Sequence, residues 1–99
     1  MKVAKAGFLL FAILGLLVAV SAAQDAGADV FKTKCAVCHG ADGGGKIGPN
    51  LKTIKLGEGD IVALLSKGED ARKMPHKKPI SGLTEDQVKA VAHYVKSLK

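Results

Sequence analysis

The sequence predicts an all-α fold of three or four short helices, and three observations lead to this fold class. Two stretches, 25–39 and 84–98, carry apolar residues at intervals of three or four positions, the spacing of one helix face. Asp25 is the candidate cap of the first helix, and Thr84 and Gln87 have the spacing of a capping box at the start of the last, whose polar face is Lys89, His93 and Lys96. A shorter stretch, 60–67, has the same apolar spacing, with Asp60 as its expected cap, and is followed by a glycine, which is typical of a helix end. No segment has the sustained alternation of a half-buried strand.

Residues 1–23 are expected to be a targeting segment outside this fold. Two lysines precede an uncharged apolar run, 6–20, and the small residues Ser-Ala-Ala follow at 21–23. These are the features of a secretory signal, so we expect cleavage after Ala23 and a periplasmic or otherwise exported protein. The alternative is an uncleaved membrane anchor, because the 18 uncharged residues of 6–23 reach the lower limit of a spanning helix.

Residues 24–99 then form one domain with little material for a hydrophobic core. The domain has 13 basic and nine acidic residues, a net charge of +4, and its only aromatic residues are Phe31 and Tyr94. Domains of this size usually need disulfide bonds, a bound metal ion or a cofactor for stability. Two cysteines could form only one small disulfide-closed loop, so we expect a large apolar cofactor around which the helices pack.

The run from Cys35 to His39 predicts which cofactor this is. Cys35 and Cys38 are three positions apart, which puts both thiols on one face of a helix, and His39 follows directly. This spacing is typical of covalent haem c attachment, in which the thiols bond the porphyrin vinyl groups and the imidazole ligates the iron. Three alternatives are a small disulfide, a thioredoxin-like redox pair, and a zinc site completed by His76 or His93.

Two further residues are predicted to complete the haem site. Pro49 offers a carbonyl on a rigid backbone and is a candidate acceptor for the second ring nitrogen of His39, although an ordinary proline turn explains it equally well. Met74 is the only methionine after residue 23 and precedes a proline in a polar loop. Its thioether is the predicted second axial ligand of the iron and favours the reduced state. His76 and His93 are rival ligands.

These residues occur in a definite order along 25–99. The order comprises Gly27, Phe31, Cys35, Cys38, His39, the Gly-Pro-Asn-Leu run at 48–51, Met74, Pro75 and Tyr94. It resembles that of the small bacterial class I cytochromes c. The resemblance implies a cytochrome c fold wrapped around one covalent haem c, and close crossing of the first and last helices at Gly27, Phe31 and Tyr94. It also implies that the Pro49 carbonyl receives the ring proton of His39.

The expected function is one-electron transfer, with no enzymatic activity. The acidic pairs at 69–70 and 85–86 are adjacent in sequence and cannot face a common substrate. A haem-based sensor or a peroxidase-like protein is the first alternative, and it would need an open iron position that ligation by Met74 closes. A haem-free thiol–disulfide protein is the second alternative.

Basic residues surround the predicted ligand, where the class I cytochromes c would lead us to expect small or apolar side chains. They are Arg72, Lys73, Lys77 and Lys78. Because local charge steers association, they predict a redox partner protein with an acidic docking surface; a solvated loop without a partner is the alternative. Nucleic acid is not an expected partner, since no aromatic residues are interleaved with the lysines. Stable membrane insertion is not expected once residues 1–23 are removed.

Overall fold

The computed structural model describes residues 26–99, which form three helices and contain no strand. Helix α1 covers 26–39, followed by a 3-10 turn at Leu51–Thr53. Helix α2 is Glu58–Lys67 and helix α3 is Glu85–Ser97. The predicted all-α class is confirmed. The expected signal segment, 1–23, and the expected cap of the first helix, Asp25, lie outside the described residues.

Helix α1 is not regular along its length. Its segment Phe31–Cys35 is π-helical, with the amide of Ala36 donating to the carbonyl of Phe31, and Ala36–His39 is α-helical. A π turn holds more residues than an α turn and so rotates the side chains that follow. The predicted single stripe therefore divides: Gly27 and Phe31 are buried, whereas Cys35 and Cys38 are only half-buried.

The hydrophobic core lies between the three helices and is small. Phe31 and Val91 are its largest fully buried side chains, at 1% and 0% exposure. Its buried members are Val30, Phe31, Ile61, Leu65, Val88, Val91, Ala92 and Val95. The four α3 residues in this set belong to the predicted apolar face of the last helix, and the predicted polar face, Lys89, His93 and Lys96, is exposed. Periodicity therefore predicted the orientation of α3 correctly.

Helices α1 and α3 cross in close contact at Gly27. A methyl group on Gly27 would lie 2.9 Å from Cβ of Tyr94 and would also overlap the carbonyl of Ala90. One turn further along, the rings of Phe31 and Tyr94 pack with centroids 5.4 Å apart and planes tilted by 52°. The predicted crossing of the first and last helices is therefore confirmed, and it fixes the position of the helix that carries the cysteines.

The two later helices begin differently from each other. At α3, Thr84 and Gln87 form the predicted capping box, with amide-to-side-chain distances of 2.8 and 3.2 Å. At α2, the expected cap Asp60 was wrong, because the helix begins two residues earlier at Glu58. Asp60 lies in the first turn instead, where its carboxylate accepts from the amide of Gly57 at 3.0 Å.

The loop of residues 69–79 joins α2 to the approach to α3 and is fixed at both ends. Gly68 ends α2 with φ of 73°, in the left-handed region that favours glycine, and its amide donates to Leu64 at 2.8 Å. After the loop, the amide of Ile80 donates to the carbonyl of Leu65 at 2.9 Å. These bonds hold the loop against α2. Within 26–99, no helix is long and apolar enough to cross a membrane.

Candidate functional site

His39 is the only buried polar side chain of the described residues, at 8% exposure. It is the last residue of α1, and its Nδ1 lies 2.9 Å from the carbonyl oxygen of Pro49. Because that oxygen can only accept, Nδ1 carries the proton and Nε2 keeps its lone pair. An imidazole oriented through one nitrogen in this way is the usual arrangement of a metal-ligating histidine.

The glycine-rich loop 40–48 folds back over His39 and encloses it. The amide of Gly45 donates to the His39 carbonyl at 2.8 Å, and the amide of Gly48 donates to the Cys38 carbonyl at 2.6 Å. A methyl group on Gly48 would lie 2.8 Å from Cε1 and 2.9 Å from Nδ1 of His39. The chain therefore needs a residue without a side chain at 48 so that its backbone can pass the imidazole.

Cys35 and Cys38 are free thiols on the turns of α1 that precede His39. The pKa of the Cys35 thiol is raised from 9.0 to about 11, first by burial and then by the neighbouring Cys38. A thiol with such a pKa is protonated at neutral pH, whereas thiol–disulfide exchange needs a thiolate. Cys35 thus lacks the lowered pKa that an attacking cysteine of a redox-active pair would use.

Met74, the predicted second ligand, lies in the 69–79 loop with its side chain 63% exposed. The residue of this loop that approaches His39 is instead His76, with the two ring centroids 6.0 Å apart and the planes at 31°. The pKa of His76 is lowered by burial first, and then by the charges of His39 and Arg72. Its Nδ1 is buried and has no hydrogen-bond partner among the described residues.

The residues of this region fit a haem. An oriented imidazole with a free lone pair directly follows two thiols, and an unpartnered buried nitrogen of His76 lies near that imidazole. Three large apolar side chains in the described part of the chain are strongly exposed, and all three belong to the same segments: Val37 at 65%, Ile47 at 80% and Met74 at 63%. Apolar side chains left exposed on the segments that flank His39 and His76 are available to contact an apolar ligand.

Some of these site residues were not predicted from the sequence. Ile47 and Gly48 lie in a loop whose glycines were expected to let the backbone turn tightly beside a flat ligand, but the sequence did not show which of them would contact His39. The proximity of His76 to His39 depends on how the 69–79 loop folds. The zinc alternative gains no support, since within 26–99 no three His, Cys, Asp or Glu side chains gather to hold a metal ion.

Most of this chain is similar in sequence to a known protein family and in fold to a solved structure. Residues 22–95 match the protein family described as "Cytochrome C oxidase, cbb3-type, subunit III". A solved structure, that of cytochrome CL from the marine methylotrophic bacterium Methylophaga aminisulfidivorans MPT, is similar with a TM-score of 0.61 and 29% identity. The match covers 76% of this chain and 52% of that one, so this chain spans about half the length of that protein. No curated protein sequence matches.

Proposed function

The chain belongs to the cytochrome c family described as cbb3-type oxidase subunit III, and from this premise we propose that it is a one-electron carrier with a single covalent haem c. The observation that carries the proposal is the buried imidazole of His39, oriented by the Pro49 carbonyl at 2.9 Å directly after two cysteines. The haem supplies an iron that takes up and releases one electron.

Each site residue has a distinct role in this proposal. Cys35 and Cys38 tether the haem, His39 ligates its iron, and Pro49 holds the ring of His39 in the orientation that presents Nε2. Met74 is the proposed second axial ligand, whose soft thioether favours the reduced state. The backbone at Gly48 lies against the ring of His39, which is only 8% exposed, so the ring has little room to rotate.

A haem-based sensor or a peroxidase-like protein is the alternative function, and it would need an iron position that Met74 leaves open. The two functions differ in behaviour toward small ligands. A carrier has a filled axial position and does not bind added cyanide or carbon monoxide readily, whereas a sensor or peroxidase binds them.

We also propose that the protein is exported and meets an acidic redox partner through the 69–79 loop. The loop carries four basic residues, but Arg72 already pairs with Glu69 at 3.0 Å. Lys73, Lys77 and Lys78 form no ion pair within the described residues, and all three are exposed. These three lysines therefore carry the charge that is free to attract a partner.

The test is expression with export and a competent haem-attachment system, followed by absorption spectra of both redox states. We expect a coloured protein whose haem stays bound after denaturation and whose reduced spectrum is of the c type. Cys38→Ala should weaken covalent attachment, and His39→Ala should change the iron spectrum. His93→Ala is the matched control, because His93 is exposed on α3 and pairs with Glu58. A colourless wild-type product would contradict the proposal and support the thiol–disulfide alternative.

A further inference from the structure

We propose that His76 is a second distal ligand of this protein, able to take the axial position of the haem iron in place of Met74. The inference rests on the haem attachment proposed above. It starts from the 6.0 Å separation of the His39 and His76 ring centroids. Two imidazoles that share one metal ion have ring centres roughly 6 Å apart, because each metal–nitrogen bond is about 2 Å long.

The separation alone does not distinguish ligation from an ordinary contact between two rings, which spans a similar range. The distinguishing observation is the buried Nδ1 of His76, which has no hydrogen-bond partner in the described part of the chain. Buried polar atoms are almost always partnered, and an exception calls for a reason such as a bound ion. A ring contact leaves this nitrogen unexplained, whereas a metal ligand explains it.

The backbone of the 69–79 loop holds His76 in place. The His76 carbonyl accepts from the amide of Glu69 at 2.9 Å, and the His76 amide donates to the carbonyl of Lys73 at 3.0 Å. Both backbone groups of His76 are thus fixed, so its ring is presented toward His39 by a rigid frame. Met74 lies two residues before His76 in the same loop. Only one of the two can occupy the remaining axial position.

The choice of ligand changes what the protein does. A thioether opposite a histidine raises the reduction potential of a haem, relative to two imidazoles. A chain with both ligands in one loop therefore has two forms with different potentials, and any partner that contacts the loop would bias their ratio. This property would distinguish the protein from a carrier with a single fixed distal ligand.

The test compares Met74→Ala with the double variant Met74→Ala/His76→Ala, both haem-loaded. We expect Met74→Ala to remain six-coordinate and low-spin, with the electron paramagnetic resonance signature of two imidazoles, and the double variant to become high-spin. Added imidazole should bind the double variant about tenfold more tightly or better, because in Met74→Ala the tethered His76 competes at a high effective concentration. Circular dichroism should show equal helical content in both variants.

The matched control is Met74→Ala/His93→Ala, which removes an exposed histidine of α3 and should behave as Met74→Ala. A high-spin Met74→Ala that binds imidazole as tightly as the double variant would overturn the inference, while leaving the proposed electron carrier intact. Low-spin spectra in the double variant as well would also overturn it, since the ligand would then come from elsewhere. A protein without covalent haem would overturn both proposals and is recognised at once by its lack of colour.

Discussion

The orientation of the His39 ring depends on the Pro49 carbonyl and on the glycine at position 48. The Pro49 carbonyl fixes the tautomer, and Gly48 lets the backbone pass within contact of the ring. The first feature could be predicted, because a proline soon after the haem motif resembles the cytochromes c. The second could not, because a loop with five glycines gives no sign of which of them faces a ring. The approach of His76 to His39 was expected only as an alternative, since it depends on contacts between segments far apart in sequence.

Gly48→Ala should therefore disturb His39 more than any ordinary glycine substitution. The new methyl group would lie 2.8 Å from the ring, and overpacking of this kind costs about 1–3 kcal/mol. We expect a lower free energy of unfolding in denaturant titrations of the haem-loaded protein, together with a shifted reduction potential.

Gly59→Ala is the matched control for this substitution. Gly59 lies in α2, and a methyl group there meets nothing within 4 Å. Since alanine is the better helix former, this control should gain about 0.5–1 kcal/mol. Equal unfolding free energies for the two variants would contradict the contact between Gly48 and the imidazole.

Some features of a helix depend only on residues that are close in sequence, and these could be predicted. The capping box of α3 was predictable because Thr84 and Gln87 are three residues apart and need no distant partner. The start of α2 was placed wrongly because an aspartate was preferred as cap, while the chain uses Asp60 inside the first turn. The π turn at Phe31–Cys35 was not predicted, because the spacing of the apolar residues there is also that of a regular α-helix.

The close crossing of α1 and α3 predicts that a side chain at position 27 destabilises the protein. Gly27→Ala would place a methyl group 2.9 Å from Cβ of Tyr94 and against the Ala90 carbonyl. Backbone atoms cannot move aside as a flexible side chain can, so α1 must shift away from α3. We expect a loss of about 1–3 kcal/mol in unfolding free energy and weaker packing of Phe31 on Tyr94, seen as a changed near-ultraviolet circular dichroism signal. Stability equal to that of Gly59→Ala would show that the helices separate without cost.

The molecule as a whole has few buried side chains for its length. Eight hydrophobic residues are buried in the described part of the chain, and only Phe31 among them is aromatic. The prediction of a thin core could be made from composition alone, because 24–99 contains two aromatic residues. Small domains that bury so little apolar surface are only marginally stable unless a disulfide bond, a metal ion or a cofactor adds to their stability.

Removal of the haem should therefore unfold the domain. Cys35→Ala/Cys38→Ala, exported without attached haem, is expected to have little helical circular dichroism and rapid cleavage by protease. The haem-loaded wild type is the reference and should unfold cooperatively. A haem-free variant with native-like helical content and a sharp thermal transition would show that the core is sufficient by itself.

The proposed docking surface consists of three lysines of the 69–79 loop, Lys73, Lys77 and Lys78. All three are exposed and form no ion pair in the described residues, so their charge acts on an approaching partner. Such steering raises the association rate and is screened by salt, with a Debye length of about 10 Å at 0.1 M. Electron transfer to an acidic redox protein should therefore slow as salt is added, when measured by stopped-flow absorption.

Lys73→Glu/Lys77→Glu should slow the bimolecular reaction at low salt and make it less sensitive to added salt, because the attraction becomes a repulsion. Lys96→Glu/Lys99→Glu is the control, since it changes the net charge by the same amount at exposed positions that are not part of the 69–79 loop. A purely global charge effect would slow both variants equally, and that result would contradict docking through the loop. A rate that depends on the loop lysines and much less on the terminal ones would place electron exchange beside Met74 and His76, where the choice of iron ligand could respond to the bound partner.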